Sequence, residues 1–148
     1  MKSNKGITLI MVIITIVFLS LLITLVVKNG VDTYEKSQVI NFETYMKMIQ
    51  KKVDLLIENG VDYTTIGSPV SDENKTKLQT IINSNSAIAT QNVDSNTLRQ
   101  FSAEDIANIF EINDVNDEII VNFANRDVIS LNGIKNNNTM HYVEYTLH

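Results

Sequence analysis

Ile7 to Val27 reads ITLIMVIITIVFLSLLITLVV, an uncharged run of 21 residues that decides the fold. Its polar members are Thr8, Thr15, Ser20 and Thr24. As an α-helix rising about 1.5 Å per residue it would reach roughly 31 Å, which matches the hydrocarbon core of a bilayer. The sequence therefore predicts a membrane-spanning helix over residues 7–27.

The six residues before this run, MKSNKG, carry two lysines, Lys2 and Lys5. A secretory signal peptide has a shorter apolar region and then a small-residue cleavage site, whereas this run is long and is followed by Lys28. The pattern predicts a retained anchor. Because positive residues precede the span, the positive-inside rule predicts a cytoplasmic N-terminus and an external segment over residues 28–148.

The stretch Lys5-Gly6-Ile7-Thr8-Leu9-Ile10-Met11 resembles the K-G-F-T-L-I-E signature of type IV pilins and of the pseudopilins of type II secretion and DNA-uptake machines. In that family a prepilin peptidase cuts after the glycine, and the new amino terminus is methylated. The resemblance implies that residues 1–6 form a leader peptide. It also implies cleavage between Gly6 and Ile7 and N-methylation of Ile7.

Two residues depart from the signature. Ile7 stands where the family most often has phenylalanine, and Met11 stands where it normally has glutamate. In the family that glutamate is thought to pair with the amino terminus of a neighbouring subunit, and Met11 cannot form such a pair. Family members without it include minor pseudopilins at the filament tip, so the resemblance implies a minor subunit. The alternative is that Met11 simply makes a better anchor.

Beyond the span, the helix is predicted to continue as an amphipathic helix over residues 28–59. Its apolar residues recur every three or four positions and form one stripe: Val39, Phe42, Met46, Ile49, Val53 and Leu56. So short a repeat favours packing on the domain's own core, with a coiled-coil dimer as the alternative. Asn59-Gly60 is typical of a helix end.

Residues 60–148 are predicted to form a globular head. Ser102 and Asp105 have the spacing of a capping box at a helix start. Segments rich in β-branched and aromatic residues follow and predict antiparallel strands. The predicted elements are short helices over about 71–83 and 103–112 and a three-stranded sheet over about 118–147.

Together these elements predict an α+β fold that resembles the pilin layout. In this lollipop, a long N-terminal helix spans the membrane with its first half. Its second half packs on a small C-terminal antiparallel sheet, with short helices between.

Composition limits the chemistry of the external part. Residues 28–148 contain 10 basic and 17 acidic residues, which gives a net charge of −7. Such a surface repels phosphate backbones, so no direct nucleic-acid binding is expected. The chain has no cysteine and only two histidines, His141 and His148, and it lacks a Gly-rich phosphate loop. The sequence predicts no catalytic residues and no enzyme activity.

One acidic stretch, Asn113 to Glu118, could supply oxygen ligands for calcium. The candidate ligands are Asp114, Asp117 and Glu118. The stretch lacks the spacing and the glycine of an EF-hand loop, so a solvated turn between a helix and a strand is the competing interpretation. No cofactor is predicted, and calcium is kept as an alternative.

The leading hypothesis is a structural subunit, a minor pilin or pseudopilin of a pilus, a type II secretion-like filament or a DNA-uptake filament. Its expected partners are other subunits through the N-terminal helix, the prepilin peptidase, and membrane lipid before assembly. It would begin as a single-pass cytoplasmic membrane protein and end in an extracellular or cell-envelope filament. The alternatives are a membrane-anchored extracytoplasmic binding module that never assembles and an anchored enzyme.

Overall fold

A computed structural model of the protein describes residues 5–136 and 138–143. Within these ranges it does not describe the side chains of residues 5–10, 25, 26, 28 and 29. The first element is helix α1, Lys5–Glu58, which has 54 residues. The chain divides into two compact units, with the boundary between Ser37 and Gln38.

The predicted membrane span is wrong for the part of the chain described. None of the helices there is long and apolar enough to cross a membrane. The predicted pilin-like lollipop with a membrane-spanning first half is therefore corrected to an α+β fold.

The second half of α1 buries the predicted apolar stripe. Phe42 is 5% exposed, and Met46, Ile49 and Val53 are fully buried. Leu56 is partly buried against the same core. The prediction that this stripe packs on the domain's own core is thus confirmed.

Helix α1 ends where a left-handed residue is needed. Gly60 has a φ of 67°, and the amide of Val61 donates to the carbonyl of Leu56 at 3.0 Å. This bond pairs one of the last carbonyls of the helix, which have no partner within it. A 3₁₀ turn, Tyr63–Thr65, follows, with Asp62 as its N-cap.

Two shorter helices each begin after a serine N-cap. Helix α2 is Asp72–Ser84, and the side chain of Ser71 accepts a hydrogen bond from the amide of Asn74. Helix α3 is Ala103–Ile109, with Ser102 and Asp105 forming a complete capping box. The capping-box prediction is confirmed, although α3 ends before the predicted position 112 because Phe110 is its C-cap.

Six strands form two antiparallel sheets in the described part of the chain. Their bounds are β1, Ser68–Pro69; β2, Leu98–Phe101; β3, Ile119–Asn122; β4, Asp127–Ser130; β5, Ile134–Asn136; and β6, Thr139–His141. The larger sheet has the order β1-β2-β3-β4, and β5 pairs with β6 in a separate hairpin. In the centre of the larger sheet Val121 lies opposite both Arg99 and Val128.

This topology differs from the predicted three-stranded meander. Strand β2 lies in a part of the chain where no strand was predicted, because its four residues, LRQF, do not alternate between apolar and polar. Leu98 and Phe101 are buried in different cores on the two faces of the sheet. The last predicted strand, 139–147, is described only to residue 143, and β6 pairs with β5 rather than with β4.

The larger sheet is covered on both faces. On one face Phe101, Ile119 and Val121 share a core with α1 and α3. On the other face Ile120 and Ile129 share a core with residues of α2. Because β3 is buried on both sides, its sequence IIVN is almost continuously apolar.

Candidate functional site

Residues 11–24 of α1, called here the exposed apolar segment, carry large apolar side chains open to solvent. Their fractional exposure ranges from 42% at Leu22 to 67% at Met11. A soluble monomer rarely presents a contiguous apolar surface of this kind, which usually marks a contact with another molecule.

Polar groups do not interrupt this surface. Three hydroxyl residues occur in the segment, and each donates to a carbonyl four residues earlier: Thr15 to Met11 at 2.8 Å, Ser20 to Ile16 at 2.8 Å and Thr24 to Ser20 at 2.9 Å. A hydroxyl that is already hydrogen-bonded costs less to remove from water. The segment can therefore be covered without leaving an unsatisfied side chain.

The apolar side chains surround the helix. Successive residues of an α-helix are turned by about 100°, so Met11, Val12, Ile13 and Ile14 point in four directions. All four are about half exposed or more. One partner helix would cover only part of such a cylinder.

The residues that the resemblance marked lie at the start of α1. Gly6 and Ile7 are in its first turns, where no side chains are described. Met11 is exposed, and its carbonyl accepts from Thr15. The structure contains nothing that tests cleavage or methylation there.

A second group of residues, called here the Asp117 cluster, is buried in the head. Asp117 is 7% exposed, and its Oδ2 accepts from Tyr45 Oη and from Ser130 Oγ, both at 2.6 Å. Its Oδ1 accepts from the backbone amides of Glu118 at 2.8 Å and Asn132 at 3.3 Å. One carboxylate thus joins α1, β4 and the turn before β5.

Burial holds the tyrosine of this cluster in its protonated form. Removal from water raises the pKa of Tyr45 far above its ordinary value, and the hydrogen bond to Asp117 raises it further. Tyr45 therefore acts as a permanent donor to Asp117. The Asp117 cluster therefore has a structural role, because it holds α1 against β4 and the turn before β5.

The three calcium candidates do not form a ligand group. Both carboxylate oxygens of Asp117 accept hydrogen bonds from protein donors. Glu118 accepts a hydrogen bond from the side chain of Asn74 at 3.3 Å, and Asp114 is exposed. Among the described residues no group of three or more His, Cys, Asp or Glu side chains could hold a metal ion.

Sequence reasoning missed the partners of Asp117. Tyr45 lies 72 residues before it in the chain, and nothing in the local pattern distinguishes this tyrosine from others on the helix. Ser130 is 13 residues away and buried in a strand. The only signal in the sequence was a serine within an otherwise apolar predicted strand.

Comparison of the chain with protein-family models, with curated proteins and with solved structures finds no match. The pilin resemblance therefore remains a prediction from the first residues of the chain.

Proposed function

We propose that this protein is a structural subunit of a filament of the pilin or pseudopilin type. It assembles by covering the exposed apolar segment of α1 with equivalent helices of neighbouring subunits. The observation that carries the proposal is the exposure of every large apolar side chain from Met11 to Ile23. The short basic leader and the Lys5-Gly6-Ile7 sequence support processing by a prepilin peptidase.

The distribution of these side chains favours an array over a dimer. Because apolar residues face all directions, several neighbours are needed to cover them, and a helical filament supplies several. Covering half of one Leu, Ile, Val or Phe side chain is worth about 1 kcal/mol. The 11 large apolar residues from Met11 to Ile23 would then contribute roughly 10 kcal/mol, within the range of about 4–15 kcal/mol that association costs.

Photo-crosslinking tests the assembly. A benzophenone amino acid at Leu19, in the exposed apolar segment, should give adducts with this chain or with other subunits that carry the same type of N-terminus. The control is the same probe at Glu104, an exposed position in α3. Adducts to lipid alone, or none at Leu19, would contradict assembly and favour the binding module that never assembles.

Mass spectrometry tests the processing separately. The mature protein from its native host should begin at methylated Ile7. If every chain retains residues 1–6, processing by a prepilin peptidase is excluded. Replacement of Gly6 by a bulky residue should likewise cause the precursor to accumulate.

The assignment as a minor subunit depends on Met11. Met11→Glu restores the carboxylate that the family normally carries, and more copies of the variant should then enter the filament. Quantitative immunodetection of purified filaments measures the ratio of variant to wild type. An unchanged ratio would mean that Met11 does not determine how many copies enter the filament.

A further inference from the structure

Two adjoining clefts lie between α1 and the loop that joins α3 to β3. Their volumes are about 340 and about 410 Å³. Asn41 and Tyr45 of α1 and Asp114 and Val115 of the loop line both. Each cleft is within the size range of small-ligand sites.

Amide side chains dominate the polar lining. Five contribute: Gln38, Asn41, Asn113, Asn116 and Asn132. Within the described part of the chain, these five side chains make no hydrogen bond to another protein group. Each amide offers both donors and an acceptor, so the wall can pair with groups that donate and accept at once.

The charges of the lining narrow the class of ligand. None of the residues lining these two clefts is Lys, Arg or His, which disfavours phosphate, sulfate and carboxylate ligands. Glu111 is already paired with Lys52 at 2.6 Å. Both carboxylate oxygens of Asp117 already accept hydrogen bonds from protein donors. Asp114 is exposed and adds a negative charge to both clefts, which further disfavours anions. In the described part of the chain, no group of three or more His, Cys, Asp or Glu side chains could hold a metal ion.

The remaining lining is apolar. Tyr45 and Ile134 are partly exposed in one cleft, and Met48 is 47% exposed in the other. Phe42 and Ile112 lie beneath them and are nearly buried. A ligand that presents carbon-bound hydrogens on one side and hydroxyls around its edge would use both kinds of lining. A pyranose ring has this distribution of groups.

We propose that these clefts bind a neutral oligosaccharide. The amide side chains hydrogen-bond the sugar hydroxyls, and the apolar residues contact the ring faces. All lining residues belong to the unit that starts at Gln38. Binding of this kind is independent of the proposed assembly through residues 11–24.

Isothermal titration of the full chain tests this proposal. The probes are cellotriose, maltotriose and the trimer of N-acetylglucosamine, and the chain is held in a detergent without a sugar headgroup, so that the detergent does not compete. At least one probe should bind saturably. Failure of all three in the millimolar range would overturn the proposal, as would tighter binding of a sulfated trisaccharide or of an arginine tripeptide.

A double variant locates the site. Asn41→Ala with Asn116→Ala removes two exposed amides, one from each side of the cleft, and should weaken binding by about tenfold, the loss expected for one to two hydrogen bonds. Gln91→Ala removes an exposed amide elsewhere on the head and should leave affinity unchanged. Equal affinity in the double variant and in wild type would place the sugar elsewhere and overturn the assignment. Circular dichroism checks that both variants are folded.

Discussion

Two stretches of the same helix carry large apolar side chains and behave in opposite ways. In residues 11–24 every large apolar side chain is at least 42% exposed. Between Phe42 and Val53 the apolar residues of the stripe are at most 5% exposed. Both stretches are regular α-helix, so helix formation does not distinguish them.

The difference lies in how the apolar residues are arranged. In the second stretch they recur every three or four residues and form one face, which the head can cover. In the first stretch they occupy every direction, and one side of a small domain cannot cover them all. A one-sided pattern therefore leads to burial within the chain, whereas an all-round pattern demands partners outside it.

The sharpest test makes one substitution in both stretches. Ile49→Ala removes a side chain that is 0% exposed, and Ile13→Ala removes one that is 53% exposed. The first should lower the free energy of unfolding by about 2–5 kcal/mol because it leaves a cavity. The second should change it by less than about 0.5 kcal/mol.

Urea unfolding followed by far-ultraviolet circular dichroism, in a nonionic detergent, measures both values. Ile13→Ala should instead weaken the crosslinking of neighbours, which Ile49→Ala should affect only through loss of folded protein. Equal effects on unfolding would mean that residues 11–24 contribute to the core of the monomer, and the comparison would fail.

The Asp117 cluster gives the next largest effect. Asp117→Ala leaves the buried hydroxyls of Tyr45 and Ser130 without their acceptor and should cost about 3 kcal/mol. Tyr45→Phe removes one bond only and should cost about 1.5 kcal/mol. Urea unfolding measures both.

Melting in the presence of a chelator distinguishes a structural role of Asp117 from a role as a metal ligand. If Asp117 acts through its protein donors, EDTA should leave the melting temperature of the wild type unchanged. A lower melting temperature with EDTA, restored by calcium, would revive Asp114, Asp117 and Glu118 as ligands.

Much of the fold from residue 38 onward could be predicted, because the sequence signals for it are local. The stripe of α1, the end at Gly60 and the capping box at Ser102 each depend on residues within a few positions of one another. Strand β2 could not be predicted, because its two apolar residues serve opposite faces of the sheet. The need for an apolar residue on each face of β2 follows from the packing of α1 on one side of the sheet and α2 on the other.

The candidate sites also differ in whether local sequence could predict them. The exposed apolar segment can be recognised in the sequence, since only its composition is needed. The Asp117 cluster and the amide-lined clefts bring together residues that are distant in the sequence, such as Tyr45 and Asp117, which are 72 positions apart. The membrane span was predicted from the full run of residues 7–27, whereas no helix in the described part of the chain is long and apolar enough to cross a membrane.

Two glycines in the head make a smaller comparison. Gly60 and Gly67 both have a positive φ, 67° and 60°, but a Cβ at Gly60 would meet nothing within 4 Å. At Gly67 it would lie 2.7 Å from the carbonyl oxygen of Gln100 and 2.8 Å from the ring of Phe101. Gly60→Ala should therefore cost about 1 kcal/mol from the backbone alone, and Gly67→Ala about 1–3 kcal/mol more from overpacking. Equal losses in the free energy of unfolding for the two variants would mean that the chain at Gly67 can shift away from Gln100 and Phe101 at little cost.

The smallest effect is the pH dependence of the ion pair between α1 and the loop after α3. The hydrogen bond from Lys52, at 2.6 Å, and the attraction of its charge lower the pKa of Glu111 below its ordinary value of 4.5. The folded state therefore binds this proton less readily than the unfolded state. The stabilisation is complete above pH 4.5 and is lost as the pH falls through the lowered pKa.

Glu111→Gln should make the fall in stability below pH 4.5 shallower, without removing it, because Asp62 and Glu73 also have lowered pKa values. Urea unfolding at a series of pH values, for wild type and variant, measures the difference. Salt at about 1 M should shrink that difference, because the pair is exposed and readily screened. A difference that salt leaves unchanged would contradict an exposed ion pair as its cause.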